Sequence, residues 1–329
     1  MDLGIVHGPD HSKRPVPSEG GVLNIVVTEF MDAPAVERLR EKADVTYDPK
    51  LVDDLPRLCE LAATCDALIV RNRTQVRGEL LASLKRCKVV GRLGVGLDNI
   101  DLAGCEQQGI QVFPATGANA NSVAEYVIAT AMLLLRGSYA SSAAVAAGEW
   151  PRDALSKGRE ISGKTLGLLG FGSIGQLTAR LAKALGMAVV AFDPALAHDD
   201  PLFAKLGVAP AALDSVLAQA DVLSLHMPLL ESTRNLLDAT RIQAMRPGAV
   251  LINTARGGIV DEAAVASALR SGQLGGAALD VFDIEPLAPA PHFQGCPNLI
   301  LTPHTAGLTT ESNQRVSSLV AEKVLAALG

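Results

Sequence analysis

Residues 165–175 read TLGLLGFGSIG, an apolar run that leads into the spacing G-x-G-x-x-G. The run predicts a buried strand over Thr165–Gly170, and the residues that follow predict a helix over Ile174–Leu185. Gly170 permits a tight turn, Gly172 lets a pyrophosphate approach the backbone, and Gly175 lets helix and strand pack closely. The pattern alone is weak, since such turns also occur for packing. In this context it predicts a dinucleotide site, with phosphates at the helix N-terminus.

An acidic residue follows at the expected distance. The next predicted strand, Ala188–Phe192, ends at Asp193, close to the roughly 20 residues that separate the glycines from the ribose-binding carboxylate in such sites. Asp193 would accept hydrogen bonds from the ribose hydroxyls and repel a 2′-phosphate, which favours NAD over NADP. The alternative is that Asp193 only starts an Asp-Pro turn.

Short apolar runs alternate with helical patterns on both sides of this stretch. Before it we predict strands at Asn24–Phe30, Asp44–Asp48, Ala67–Val70, Val89–Leu93 and Ile110–Phe113. After Asp193 they lie at Val222–His226, Val250–Asn253, Gly276–Ala278 and Leu299–Leu301, and the predicted helices include Ala35–Lys42, Ser122–Ala147 and Thr310–Leu328. Strands separated by helices imply crossover connections and parallel sheets. The chain is therefore predicted to be α/β, with two arrays joined by a long helix and a cleft between them.

Composition narrows the function classes. The chain has 329 residues, 48% of them hydrophobic, and a net charge of −6, which gives no basic face for nucleic acid. No apolar run reaches the roughly 18 residues of a bilayer span, and residues 1–21 lack a signal sequence and read as a disordered extension or an expression remnant. The five cysteines form no CxxC pair, so we expect reduced thiols, no metal site and a cytoplasmic protein.

Three charged residues follow predicted strands of the second array: Arg256, Glu285 and His304. The carboxyl ends of parallel strands meet at one edge of a sheet, so the three are predicted to converge. His304 can donate a proton to a carbonyl oxygen as hydride reaches the adjacent carbon, and Glu285 can fix the histidine tautomer. Arg256 can hold a substrate carboxylate. Each residue alone could be an ordinary surface or turn residue, and the set carries the prediction.

Six segments together resemble the D-isomer-specific 2-hydroxyacid dehydrogenase family, in its phosphoglycerate dehydrogenase-like branch. Beside the glycine turn these are GRLGVGLDNID (91–101), HMPLLESTRNLL (226–237), NTARGGIVDE (253–262), ALDVFDIEP (278–286) and TPHTAG (302–307). The resemblance implies a Rossmann NAD-binding domain over 118–302 and a smaller, flavodoxin-like substrate domain from 22–117 and 303–329. It implies a homodimer built through the long helix. It also implies further cofactor contacts at Ser173, Ile174, His226, Met227, Pro228, Thr233, Thr254, Ala255, Asp280 and Gly307.

The substrate is predicted to be a small anionic 2-hydroxy or 2-keto acid. Arg71 follows the strand Ala67–Val70, so we expect it to read a distal anion, while backbone N–H groups at Val95 and Gly96 cradle a carboxylate. This favours 3-phosphoglycerate and phosphohydroxypyruvate, with sulfolactate, hydroxypyruvate and glyoxylate left open. The alternative is that Arg71, Arg73 and Arg77 form a solvated edge.

Two other functions remain open at this point. One is an NAD-sensing interaction protein on the same fold, which a turnover assay would distinguish. The other is an NADP-linked glyoxylate or hydroxypyruvate reductase, against which Asp193 weighs.

Overall fold

The computed structural model describes residues 22–329, so the extension predicted at 1–21 lies outside the described residues. The first sheet has five parallel strands in the order β2-β1-β3-β4-β5, which is the flavodoxin-like order that was predicted. Its strands are β1 Asn24–Val27, β2 Asp44–Tyr47, β3 Ala67–Val70, β4 Val89–Arg92 and β5 Gln111–Pro114. The helices between them are α1 Ala33–Arg40, α2 Leu55–Ala62, α3 Gly78–Ser83 and α4 Leu102–Gln107.

The predicted single helix Ser122–Ala147 is wrong. Helix α5 (Ala120–Arg136) ends at Gly137, whose left-handed φ of 70° lets its N–H bond to the carbonyl of Leu133. A glycine without Cβ adopts this conformation at little cost and terminates the helix, whereas the Ala-rich pattern beyond it continues unbroken. A 3₁₀ turn and two short helices follow, α6 Ser142–Ala146 and α7 Arg152–Leu155.

The second sheet has seven parallel strands in the order β12-β11-β10-β9-β6-β7-β8, the Rossmann arrangement. Its elements are β6 Thr165–Leu169, α8 Ser173–Ala184, β7 Ala188–Phe192, α9 Pro201–Leu206, β8 Ala209–Pro210, α10 Leu213–Gln219, β9 Val222–Leu225, α11 Ala239–Ala244, β10 Ala249–Asn253, α12 Glu262–Ser271, β11 Leu274–Leu279 and β12 Leu299–Leu301. The order reverses between β6 and β9, so a crevice opens at the carboxyl ends of these strands, beside the glycine turn.

The last helix, α13 (Thr310–Leu328), returns to the five-stranded sheet. Val320 and Val324 pack so closely over Gly91 that a Cβ there would lie 2.7 and 2.8 Å from their methyl groups. Any larger residue would push the helix off the sheet. The chain therefore crosses from the second sheet back to the first just after His304, which brings both sheets to one cleft.

Within the described residues, no single helix is long and apolar enough to cross a membrane. One pair of helical segments, Ala120–Arg136 with Ser138–Ala146, reaches the length and composition together but is bent by 69°.

Candidate functional site

A cavity of about 920 Å³ lies between the two sheets. Loops of the five-stranded sheet line one wall, and loops that follow strands of the seven-stranded sheet line the other. The lining residues with ionisable side chains are Arg73, Arg92, Asp98, Arg256, Asp283, Glu285 and His304. All three members of the predicted trio thus reach one cleft.

His304 and Glu285 form a hydrogen-bonded pair on this wall. The His304 Nδ1 lies 2.7 Å from Glu285 Oε2, and the backbone N–H of Phe282 donates to Glu285 Oε1 at 3.1 Å. Burial raises the pKa of Glu285, but the hydrogen bond and charge of His304, together with the N–H of Phe282 and the charge of Arg256, bring that pKa below its ordinary value. Glu285 is therefore a carboxylate at neutral pH, and Nε2 of His304 is left for a ligand.

The buried carboxylate of Asp280 holds the loop that carries His304. His304 itself has a left-handed φ of 56°, which a non-glycine residue adopts only when its surroundings enforce it. The Asp280 carboxylate, 1% exposed, accepts hydrogen bonds from the Thr302 hydroxyl at 2.6 Å and from the N–H groups of Thr305 and Ala306 at 2.8 and 2.9 Å. Asp280 was predicted to contact the cofactor; the structure instead turns its carboxylate into the loop.

Arg256 reaches across the cleft from the end of β10. Its Nε donates to Asp98 Oδ2 at 2.9 Å, and its Nη2 lies over Gly96, where a Cβ would approach that nitrogen to 1.7 Å. Asn253, 2% exposed, accepts from the N–H of Ala255 and donates to the carbonyl of Arg256, which fixes the turn. Gly96 is thus a glycine because a guanidinium occupies the space of its side chain.

Arg92, the last residue of β4, was missed as a site residue. It lines the cleft, and in the part of the chain that the structure describes its Nε is buried without a hydrogen-bond partner. Burial, with the charges of Arg256 and Arg71, lowers the pKa of Arg92 to about 10, so it stays charged at neutral pH. The signal was available, since Arg92 ends its strand at the same edge as Val70.

Arg71 is not among the residues that line the cleft. Its guanidinium donates to the carbonyl of Phe30 at 3.3 Å and to Asn313 Oδ1 at 2.7 Å, and it lies 5.7 Å from the Phe30 ring centroid. These contacts hold the side chain against α13. Arg92, rather than Arg71, therefore lines the cleft wall.

The glycine turn has the geometry of a phosphate cradle. Gly170 has a φ of 98°, and a Cβ there would lie 2.5 Å from the carbonyl of His226; a Cβ on Gly175 would lie 2.5 Å from the carbonyl of Gly170. Gly172 faces open space. Helix α8 begins at Ser173, so the N–H groups of Ser173 and Ile174 belong to its first turn and have no intrahelical partner.

Asp193 makes the Asp-Pro turn and also contacts the glycine turn. Its Oδ1 accepts the N–H of Ala195 at 2.9 Å, which makes the Asp-Pro turn, and its Oδ2 accepts the N–H of Phe171 at 2.7 Å. The second contact fixes the carboxylate against the glycine turn. A carboxylate has about four acceptor sites, so two remain for ribose hydroxyls.

The remaining predicted cofactor residues differ in their surroundings. Among the described residues the Thr254 hydroxyl is buried without a partner, which fits a ligand that supplies one. Thr233 closes its own loop, because its hydroxyl accepts from Leu230 N–H and donates to the Pro228 carbonyl, both at 2.7 Å. Met227 and Ala255 are buried, and Gly307 packs against Asn119.

His226 contributes an uncharged ring to this region. Burial lowers its pKa to about 3, and its Nε2 lies 3.0 Å from the hydroxyl of Ser224. The ring is therefore neutral at physiological pH and serves in packing and hydrogen bonding, not as a counter-ion for phosphate.

Comparison with known proteins agrees with this geometry. A family profile described as D-isomer specific 2-hydroxyacid dehydrogenase, NAD binding domain, matches residues 128–306. The chain is 51% identical to (S)-sulfolactate dehydrogenase of Chromohalobacter salexigens over 93% of this chain and 98% of the relative. It is 39% identical to D-3-phosphoglycerate dehydrogenase of Mycobacterium tuberculosis over 92% of this chain but 56% of the relative.

Among solved structures, D-lactate dehydrogenase of Aquifex aeolicus, complexed with NAD and lactic acid, superposes with a TM-score of 0.82 at 28% identity, covering 93% of this chain and 95% of that one. The glycine turn, Asp193 and the unpartnered Thr254 hydroxyl fit the NAD that the family binds. The chain is therefore a member of the D-isomer-specific 2-hydroxyacid dehydrogenases, enzymes that act with NAD on a CH–OH group.

Proposed function

We propose that this enzyme interconverts a sulfonated 2-hydroxy acid and its 2-keto acid, sulfolactate and sulfopyruvate, with NAD(H). The observation that carries the proposal is the guanidinium of Arg92 on the cleft wall, whose Nε is buried without a hydrogen-bond partner. A buried donor of a charged group is costly to leave without a partner, and a ligand anion would supply one. The 51% identity to a sulfolactate dehydrogenase over nearly its whole length supports a sulfonate over a phosphate.

The substrate would bind by its two ends. Its carboxylate would lie under Arg256, within reach of the N–H groups of Val95 and Gly96, since Gly96 lies directly beneath Nη2. Its sulfonate would lie against Arg92, with Arg73 at the rim. We infer that Arg71 acts behind this wall, through the position of Arg92, rather than by contact. The earlier preference for 3-phosphoglycerate gives way to this assignment.

The trio would then do the chemistry on the carbonyl. Bound NADH supplies the hydride that C2 accepts. Glu285 would accept a hydrogen bond from Nδ1–H of His304 and stabilise the charged ring. The Nε2–H would then donate its proton to the carbonyl oxygen, which leaves a neutral ring that keeps its proton on Nδ1. Arg256, held by Asp98, would polarise the carbonyl and hold the carboxylate. The reverse direction uses the same residues, with His304 as the base.

The proposal is tested with a substrate panel. We expect kcat/KM with NADH to be highest for sulfopyruvate, lower for phosphohydroxypyruvate, and lowest for hydroxypyruvate and glyoxylate, which lack a distal anion. Glyoxylate turnover as efficient as that of sulfopyruvate would refute the proposal. Absence of turnover with every 2-keto acid would favour a sensing role on the same fold.

We further propose that the enzyme works as a homodimer, with domains divided near residues 118 and 302. Apolar side chains stand out from α5 and the segment after it: Met132 is 43% exposed, Tyr139 64%, Val145 44% and Trp150 78%. An apolar surface of this kind is typical of a subunit interface. Sedimentation of the wild type and of Trp150→Ala would test it, and a monomeric wild type would contradict it.

A further inference from the structure

The loop 71–74 follows β3, and its middle residues line the cleft. Three of its backbone N–H groups converge on one buried carboxylate. Glu29 Oε1 accepts from Arg71 at 2.9 Å and from Thr74 at 3.0 Å, and Glu29 Oε2 accepts from Arg73 at 3.1 Å. Glu29 is only 5% exposed. Hydrogen bonds to a charged acceptor are about twice as strong as neutral ones, so this carboxylate determines the course of the loop.

Asn99 contacts the same loop through the backbone carbonyl groups of the loop. Its Nδ2 donates to the carbonyl of Arg71 at 3.0 Å and to that of Thr74 at 2.7 Å. The hydroxyl of Thr74 also bonds that of Thr28 at 2.8 Å. Asn99 is 5% exposed and lies in the loop that follows β4, the strand that ends at Arg92. The donors and acceptors of the loop are thus fixed by two buried side chains from different segments.

The orientation of the Glu29 carboxylate affects the charge of the cleft wall as well as the course of the loop. Its charge acts on Arg71, Arg73 and Arg92, yet its oxygens bond the loop backbone instead of a guanidinium. Among the described residues, Arg92 has no ion-pair partner. Glu29 therefore holds the wall of the cleft in place and leaves Arg92 available to an anion from outside.

We infer that Glu29 and Asn99 are positioning residues for substrate selection. They fix the loop 71–74, and with it the wall against which the distal anion of the substrate rests. Because Arg256, Glu285 and His304 stand on the opposite wall, the effect falls on recognition of the anion and not on proton or hydride transfer. This inference rests on the proposed function.

The test compares Glu29→Gln with a matched control, Asp66→Asn. Asp66 is also a 5% exposed carboxylate beside the same sheet that accepts a backbone N–H, from Asn24 at 2.9 Å, but it lies at the opposite edge, away from the cleft. Unlike Glu29, it also pairs with a guanidinium, that of Arg86 at 3.1 Å. We expect Glu29→Gln to raise KM for sulfopyruvate about tenfold with little change in kcat, and to affect kcat/KM for glyoxylate much less. Asp66→Asn should lower the melting temperature and change kcat/KM for sulfopyruvate and for glyoxylate by the same factor.

Asn99→Ala provides an independent variant with the same expected split. If Glu29→Gln reduces kcat/KM equally for both substrates, as the control does, Glu29 is structural and the inference is overturned. Failure of both the Glu29 and Asn99 variants to fold would also overturn it. A wild type that does not prefer sulfopyruvate would instead refute the proposed function itself, and that result is seen before any variant is made.

Discussion

Replacing Glu285 by Gln tests the acid–base pair directly. Glu285 Oε2 and His304 Nδ1 lie 2.7 Å apart, and the two side chains are 33% and 39% exposed. A hydrogen bond of this charged kind contributes about 1.5–3 kcal/mol, and partial exposure places it at the lower end of that range. Since about 1.4 kcal/mol corresponds to one pH unit, the loss of the carboxylate should shift the titration that controls turnover by about one unit.

The direction of the shift follows from the charges. The charge of His304 helps to lower the pKa of Glu285, and the coupling is reciprocal, so the carboxylate stabilises the protonated ring. A neutral amide does not. In Glu285→Gln, the alkaline fall of keto-acid reduction and the acid fall of hydroxy-acid oxidation should therefore both move to lower pH.

Initial rates from NADH absorbance across the pH range measure both limbs. Glu262→Gln is a control, because Glu262 Oε2 lies 3.5 Å from His292 Nε2 in a second carboxylate–histidine contact, which is not hydrogen-bonded. The control should keep the wild-type profile. Unchanged limbs in Glu285→Gln would refute the assigned pair.

Three further variants test the remaining roles. His304→Asn should lower kcat by roughly 10²–10⁴-fold while the Kd for NADH, from fluorescence titration, stays near the wild-type value; near-normal turnover would remove His304 from the mechanism. Asp193→Ala should raise the ratio of NADPH to NADH efficiency, measured as kcat/KM, because the carboxylate no longer repels a 2′-phosphate; a fixed ratio would contradict its role. Arg92→Ala should reduce kcat/KM for sulfopyruvate by roughly 10–100-fold more than for glyoxylate, whereas equal losses would leave the distal-anion site without support.

Much of the fold was predictable because parallel strands buried on both faces leave continuous apolar runs. Ala67–Val70 and Ala188–Phe192 match their predicted bounds, and so does the final helix, Thr310–Leu328. The break at Gly137 was not predictable from periodicity, because apolar and Ala-rich positions continue past it. The two-residue strand β8 also escaped notice, since so short a run has no pattern of its own.

The sequence could predict which residues follow the ends of the strands, but not which of their side chains turn toward the cleft. Arg256, Glu285 and His304 converge because three parallel strands end at one edge. Arg71 and Arg92 both stand at the carboxyl edge of the first sheet, but whether each turns to the cleft depends on Phe30 and Asn313, which pair with Arg71 from distant segments. Such pairings need the tertiary structure.

The buried carboxylates that hold the loops of the site could not be predicted from the sequence either. Asp280 was assigned to the cofactor from its motif, but it lies beneath the His304 loop. Glu29 gave no signal in the sequence, because its three partners are backbone groups more than 40 residues away.

The most direct test of the central claim is a crystal structure of the wild-type enzyme with NAD and sulfolactate. The account predicts the sulfonate within hydrogen-bond distance of the Arg92 guanidinium, the carboxylate beneath Arg256, and the C2 hydroxyl on Nε2 of His304. A sulfonate directed to solvent, with Nε of Arg92 still unpartnered, would contradict the account.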